Sequence, residues 1–316
     1  MSTKCKQKKT YQVRNWSQYN QALVNRGNIT LWFDDEVLSQ WKHDNKGFKV
    51  GRPFTYSDTA ILALLMLREF FQLPYRQTEG FGHALVAMMG LEIAIPHHTS
   101  LVKRAKKLDV TIEVASAPKG SVSVVVDSTG LKVYGEGEWK VRQHGADGRR
   151  TWRKIHLAVD PNSHQIVAEE LTDSSCHDSE KALELVDQST VEIEAFYGDD
   201  AYDSWDIHDG LQEREIDAII PPRRSAVIKQ HANCKADPLP RDESVRHIRR
   251  DGRKAWKEQI GYHKRSIAET AMSRMKGAFG DRLKNRKSES QKTEAAIRCK
   301  LLNWFALLGM PLSLWG

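Results

Sequence analysis

The protein has 316 residues, of which 40% are hydrophobic and 28% are charged, a composition typical of a folded globular protein and too apolar for a disordered one. At roughly 150 residues per domain, this length predicts about two domains. The longest apolar run, residues 60–67, is too short for a membrane span, and no apolar stretch follows the basic start MSTKCKQKK, so no signal peptide is predicted. The four cysteines lie far apart, so we expect a cytoplasmic protein without a disulfide framework or a cysteine zinc site.

The net charge of +7 conceals two opposed blocks. Residues 169–217 contain 17 acidic and 2 basic residues, a net charge of −15, whereas residues 241–300 contain 18 basic and 8 acidic residues, a net charge of +10. A basic block can bind a polyanion while some of the acids bind metal. Solvated helix faces would give the same pattern, so charge alone leaves both interpretations open.

Residues 1–115 are predicted to be helical. Apolar spacing and capping residues indicate helices over residues 57–71, 76–89 and 101–108. The third helix is short and basic, as in helix-turn-helix proteins, which place such a helix in the major groove. Its candidate DNA-binding residues are Lys103, Arg104, Lys106 and Lys107. The link before it is longer than a helix-turn-helix turn, and a plain surface helix is the alternative.

From residue 120 the pattern changes to strands alternating with helices, which predicts a mixed α/β domain. The β-branched run 122–126 is predicted to be a buried strand that ends in a polar loop, DSTG. Further strands are expected at 153–160, 165–171, 192–198 and 216–220, and helices at 178–186, 204–214, 265–279 and 293–308. Residues 223–256 lack periodicity and are predicted to be an insertion or loop.

Two carboxylates are predicted to stand at the ends of buried strands. Asp127 follows the first strand, and Asp199 follows the strand at 192–198. A sheet edge holds such groups in place while leaving them open to substrate. Together they could share Mg²⁺, which prefers oxygen ligands and takes one or two carboxylates. Each acid alone could instead simply cap a turn or a helix.

A third element has the spacing Y-x2-R-x3-E-x6-K, formed by Tyr262, Arg265, Glu269 and Lys276. At about 100° per residue, the four side chains fall on a stripe about 60° wide, provided that the helix extends back to Tyr262. Glu269 could bind metal, while the other three could hold phosphates. The alternative is a solvated face with an Arg265–Glu269 ion pair. Apolar residues on the other sides of this helix argue against full solvation.

The segments VVVDSTGLKVYGEGEW, GDDAYDS and YHKRSIAETAMSRMK together resemble the catalytic signature of bacterial insertion-sequence DDE transposases, in particular the family numbered five. NWSQYNQALVNRGNITLWFD and LPYRQTEGFGHALVAMMGL resemble that family's N-terminal region, so the resemblance covers nearly the whole chain. It implies Asp127, Asp199 and Glu269 as the catalytic, metal-binding acids. Asp199 is chosen over Asp200 because the family's second acid stands three residues before a tyrosine, here Tyr202.

The resemblance also implies a ribonuclease H-like mixed sheet, with Asp127 on its central strand, and an α-helical N-terminal DNA-binding domain. The expected division is a helical DNA-binding domain over residues 1–115, a catalytic domain over 118–290 that carries the insertion 223–256, and a C-terminal helix over 291–316. The implied cofactor is a pair of Mg²⁺ ions, with Mn²⁺ as a substitute. The implied partners are double-stranded DNA, at element ends and at the target, and a second copy of the chain on that DNA.

The implied function is a DNA transposase that binds terminal inverted repeats and catalyses metal-dependent cleavage and strand transfer, moving an insertion sequence. In this reading Tyr262, Arg265 and Lys276 hold phosphate or DNA. Two alternatives stay open. One is a catalytically inactive DNA-binding protein derived from a transposase, and the other is a nuclease that cuts DNA without joining it.

Overall fold

The computed structural model describes residues 11–28, 33–46, 53–114, 120–133, 152–231 and 237–315. The YGEGEW part of the first signature segment lies outside these residues. In the described part of the chain, no helix is long and apolar enough to cross a bilayer.

The N-terminal part is helical, as predicted. It contains α1 (Trp16–Arg26), α2 (Asp35–Ser39), α3 (Asp58–Phe70), α4 (Tyr75–Met88) and α5 (His98–Arg104). A short strand, β1 (Tyr11–Val13), lies before α1. Ser57 begins α3 because its hydroxyl accepts a hydrogen bond from the Ala60 amide at 3.0 Å.

The basic helix α5 differs from the prediction. It begins at His98, with His97 in the N-cap position after Pro96, and ends at Arg104. Lys106 and Lys107 therefore lie in the turn that follows the helix and not on the helix itself.

The centre of the fold is a mixed sheet formed by β2 (Val122–Val133), β3 (Trp152–Val159), β4 (Ile166–Asp173), β5 (Ile193–Tyr197) and β6 (Asp217–Ile219). The strand order is β4-β3-β2-β5-β6. The first three strands form an antiparallel meander, and β5 and β6 run parallel to β2. Short helices α6 (Ala182–Asp187) and α7 (Trp205–Gln212) connect β4 to β5 and β5 to β6. This order and these directions are those of a ribonuclease H-like sheet, which confirms the predicted fold class.

The central strand β2 is longer than predicted, and Asp127 lies in its middle rather than at its end. The polar DSTG segment was predicted to be a loop, but β3 pairs with it from Asp127 opposite Leu157 to Lys132 opposite Trp152. The parallel neighbour β5 ends at Tyr197, opposite Val125. Asp127 therefore stands where β2 continues past the end of its neighbour, which leaves one side of the strand open.

The region predicted to be an aperiodic insertion is partly helical, because it contains α8 (Pro240–Asp251) and α9 (Arg253–Gln259). The prediction failed because α8 buries polar side chains instead of an apolar stripe. Arg241 forms two hydrogen bonds to Asp203, at 2.6 and 3.0 Å, and Asp242 accepts the amides of Lys229 and Gln230 at 3.0 and 2.7 Å.

Two long helices complete the fold: α10 (Ser266–Phe279), followed by Gly280 with φ of 81°, and α11 (Ser288–Leu308). Between them β7 (Arg282–Leu283) pairs with the end of β2, and β8 (Ser313–Trp315) pairs with β1 after α11. The predicted stop of α10 at Gly280 is confirmed. The helix does not extend back to Tyr262, because residues 262–265 form a separate 3₁₀ turn.

One continuous hydrophobic core joins the N-terminal helices to the sheet. Its buried members include Leu64 of α3, Leu131 and Leu157 of the sheet, Met275 of α10 and Leu301 of α11. A second cluster lies on the other face of the sheet, beneath α6 and α7. The three-part division of the chain therefore stays a prediction, since its parts share a core.

A buried ionic network further connects the N-terminal helices to the rest of the fold. Arg298 on α11 has no exposed side-chain surface, and its guanidinium lies 3.2 Å from Glu69 of α3 and 2.7 Å from Glu294. It also donates to the carbonyl of Arg282 at 2.8 Å, and Arg68 pairs with Glu69. The network ties α3, α11 and the segment after α10 together.

We predict that Arg298→Met destabilises the fold by about 3–5 kcal/mol, because removing one member of a buried ion-pair network leaves the others uncompensated. Urea unfolding measures the change. The matched control on the same helix is Lys292→Met, which removes a half-exposed pair with Glu170 and should cost less than about 1 kcal/mol. Equal losses in the two variants would contradict a structural role for the network.

A second prediction concerns Glu169 on β4. Burial raises the pKa of this carboxyl to about 8, aided by Glu170 and offset by Lys292. A folded-state pKa above the unfolded value of 4.5 gives a contribution to stability that is complete below 4.5 and lost as pH rises to about 8. Glu169→Gln should therefore gain stability relative to wild type between pH 5 and pH 9. Denaturation of the variant and the wild type across that range tests this, and equal stability of the two at every pH would contradict it.

Candidate active site

Three carboxylates from separate elements converge on one guanidinium. Asp127 lies in the middle of β2, Asp199 is the second residue after β5, and Glu269 lies in the first turn of α10. Arg265 places Nη2 at 3.2 Å from Asp127 Oδ2 and 3.6 Å from Asp199 Oδ2, and Nη1 at 2.6 Å from Glu269 Oε1. The structure thus brings together all three acids that the sequence motifs singled out.

The two aspartates are held by the backbone on the side away from Arg265. Asp127 Oδ1 accepts the amide of Ser128, and Asp199 Oδ1 accepts the amide of Ala201, both at 2.8 Å. Each therefore turns its Oδ2 towards the shared cation. The side chain of Glu269 is 58% exposed, against 16% for Asp127, so Glu269 is the least confined of the three.

The electrostatics are those of a site with excess negative charge. Burial raises the pKa of Asp127, and the neighbouring Asp199 and Glu269 raise it further, while the Ser128 amide and Arg265 act in the opposite direction. The same carboxylates raise the pKa of Arg265 although burial opposes this. The arrangement therefore favours a positive charge between the acids.

Of the two adjacent candidates, Asp199 faces the shared cation. Asp200 instead begins the 3₁₀ turn Asp200–Tyr202, and its carbonyl accepts a hydrogen bond from Arg223 Nε at 3.0 Å. This geometry favours the acid chosen from its spacing to Tyr202.

Tyr262 does not point into the open site, where the sequence pattern placed it as a phosphate contact. The ring is buried, and its hydroxyl donates to the carbonyl of Gly198 at 3.1 Å. Burial raises the pKa of Tyr262 to about 12. Since Gly198 immediately precedes Asp199, this hydrogen bond fixes the loop that carries the second acid.

Lys276 lies beside the strand that carries Asp127. Its Nζ donates to Thr129 Oγ1 at 2.6 Å, and Thr129 lies two residues after Asp127, on the same face of β2. The ammonium is partly exposed, so α10 contributes a cation, Lys276, as well as an acid, Glu269, to this edge of the sheet.

The predicted DNA-binding residues of the N-terminal part are placed in two ways. Lys103 and Lys107 are exposed, and Lys106 is partly exposed. Arg104 turns back into the protein, where it donates to the carbonyl of Tyr56 at 3.0 Å, pairs with Asp58 and lies over the ring of Phe54. Its guanidinium is therefore engaged within the protein rather than presented for reading bases.

The sequence motifs missed a polar cluster behind Asp127. Ser128, on the opposite face of β2, donates to Asp178 Oδ1 at 2.7 Å, and Lys154 Nζ lies 3.1 Å from the same oxygen. Asp178 was one of the 17 acids of the acidic block, and only the pairing of β2 with β3 distinguishes it. Ser128 reaches Asp178 because β2 continues past Asp127, and the sequence pattern predicted a loop there. The sequence therefore offered no reason to select Asp178.

Two family models, each described as a transposase DDE domain, match residues 24–136 and 118–304. The second covers more than half of the chain, and the chain therefore belongs to the DDE transposase family, which confirms the resemblance found in the motifs. A solved structure described as the Mos1 mariner paired end complex with Mn is similar at 11% identity, over 80% of this chain and 86% of that chain. Its TM-score of 0.23 is too low to support any inference.

We predict that Tyr262→Phe lowers the free energy of unfolding by about 0.5–1.5 kcal/mol, because the carbonyl of Gly198 loses its buried donor. Urea unfolding provides the measurement. Tyr19→Phe on α1 is the control and should change stability by less than about 0.5 kcal/mol. No loss in Tyr262→Phe would mean that the hydroxyl does not hold the Asp199 loop.

Proposed function

We propose that this transposase binds the ends of its own element and uses Asp127, Asp199 and Glu269 to hold divalent metal for DNA cleavage and strand transfer. The observation that carries the proposal is the convergence of these three carboxylates on a single positive group, Arg265. Asp199 also caps the following 3₁₀ turn through Oδ1, but that cap does not require its Oδ2 to meet Asp127 and Glu269 at Arg265.

The chemistry of the three acids fits a hard divalent ion. Every donor is a carboxylate oxygen, the ligand type that suits Mg²⁺ and Mn²⁺. The oxygens Asp127 Oδ2, Asp199 Oδ2 and Glu269 Oε1 share one cationic side chain, which supports metal binding in that region. A pair of such ions, when bound, supplies an activated nucleophile and stabilises the leaving oxygen of the phosphodiester.

The cations of α10 and its preceding turn complete the proposed chemistry. Arg265 and Lys276 offer positive charge to the phosphate on which negative charge develops during the displacement. Lys276 donates a hydrogen bond to Thr129, which lies on the same face of β2 as Asp127. We assign Tyr262 to positioning the loop of Asp199 and not to contact with phosphate, because its hydroxyl donates to a backbone carbonyl.

DNA binding is proposed to use two regions. The basic block of residues 241–300 includes the exposed Lys254 and the partly exposed Lys257 on α9, which adjoins the turn that carries Arg265. Such contacts neutralise phosphates without reading sequence, so affinity should fall steeply with salt. Base recognition is proposed for Lys103 on α5, with Lys106 and Lys107 as further contacts. Pairing of two element ends is proposed to use a homodimer.

We predict that Asp127→Asn, Asp199→Asn and Glu269→Gln each reduce cleavage to background while leaving DNA affinity unchanged or raised, since each removes a negative charge. The substrate is a plasmid that carries the DNA flanking the protein's own gene, incubated with Mg²⁺ or Mn²⁺. Asp200→Asn is the matched control, and it should retain activity because the acid that pairs with Arg265 at this position is Asp199. Full activity in any of the three site variants would sink the assignment.

The same assay separates the alternative functions. Cut ends joined covalently to a target plasmid support a transposase. Cut ends that are never joined indicate a hydrolytic nuclease, and binding without cleavage indicates a DNA-binding protein derived from a transposase.

A further inference from the structure

A second group of metal-ligating side chains lies in the N-terminal helices. Glu79 projects from α4, and His97 and His98 stand at the start of α5. One ligand atom from each of the three lies within 4.8 Å of the others. The two imidazole rings are 4.0 Å apart between centroids, so both histidines present themselves to the same small space.

Hydrogen bonds orient both rings through the same nitrogen. His98 Nδ1 is 2.7 Å from Glu79 Oε2, and His97 Nδ1 is 2.8 Å from Thr99 Oγ1, with a longer contact of 3.4 Å to the Thr99 amide. The Thr99 amide donates to His97 Nδ1, so this nitrogen is an acceptor, and a bound ion would take the place of the proton that His98 Nδ1 shares with Glu79 Oε2.

Hydrogen bonds also hold the carboxylate of Glu79 in position. Glu79 Oε2 accepts two hydrogen bonds from His98, through Nδ1 and through the backbone amide at 2.9 Å. The side chains of Glu79 and His98 are 22% and 23% exposed and His97 is exposed, so the group is open to an ion from solvent.

We propose that Glu79, His97 and His98 form a binding site for a borderline transition metal ion of the Zn²⁺ type. Two imidazoles and one carboxylate are a donor set that suits such ions, whereas Mg²⁺ prefers oxygen ligands alone. Three protein ligands leave a fourth position for water or an external group. The site joins α4 to α5, the helix that carries Lys103, and it shares no residue with the three acids around Arg265.

The test is titration of the full-length protein with Co²⁺, whose bound form absorbs visible light strongly when imidazole ligands impose tetrahedral geometry. The expected result is one strongly absorbing Co²⁺ per chain, displaced by Zn²⁺. Absorption should be lost in His98→Gln and in His97→Asn, a change that keeps a side chain able to cap α5 while removing the imidazole. It should persist in His83→Ala, on the same helix as Glu79, and in Asp199→Asn.

A second measurement guards against variants that fail to fold. Zn²⁺ that binds only the folded chain should raise the thermal unfolding midpoint of the wild type and of His83→Ala, but not that of His97→Asn, with circular dichroism confirming that all three are folded. No visible absorption in the wild type overturns the proposal, as does absorption that survives in His98→Gln or disappears in Asp199→Asn. Neither measurement involves DNA, so failure here is distinct from failure of the proposed transposition.

Discussion

Mutual repulsion among three carboxylates is the constraint around which this site is built. Asp127 is largely buried, so a cluster of uncompensated negative charge at this edge of the sheet would oppose folding. Arg265 offsets that repulsion, and it lies four residues before Glu269. The third acid and the compensating cation therefore arrive together when α10 and its preceding turn dock against β2, and the cluster can assemble before any ion binds.

That docking is fixed at both ends of the segment. At the start, Tyr262 donates to the carbonyl of Gly198, beside Asp199, so the turn that carries Arg265 is bonded directly to the loop of the second acid. At the far end, Arg298 bonds to the carbonyls of Gly280 and Arg282, just after α10, and to the buried Glu69 of α3. The N-terminal helices thus contribute to the position of α10 through a buried ionic contact. The geometry of the candidate active site therefore depends on the packing of the shared core.

Local residue patterns determine some elements of this fold, while contacts between distant parts of the chain determine others. Helix α3 and the end of α10 were predictable because local signals, a serine cap and a glycine stop, determine them. The continuation of β2 through Ser128 and Gly130 depends on pairing with β3, and the helix α8 depends on salt bridges such as Arg241–Asp203 that bury polar groups. Neither leaves an apolar pattern in the sequence. The spacing of Tyr262 placed its segment near the acids correctly but did not predict the direction of its side chain. The hydroxyl points to the carbonyl of Gly198, 64 residues away in the sequence.

Differences in confinement among the acids bear on how the proposed site accepts metal. Asp127 is fixed on a strand and Asp199 in a loop bonded by Tyr262, whereas Glu269 is the most exposed and sits on the same helical segment as its partner Arg265. In the proposed function, an ion that replaces Arg265 as the partner of the acids would require the least movement at Glu269, whose exposed side chain can rotate without moving α10. In the same proposal, Arg265 released from Glu269 would stay within reach of the two aspartates and would have one nitrogen for a phosphate oxygen. The side chain that balances the three acids is thus also one that we propose for contact with phosphate.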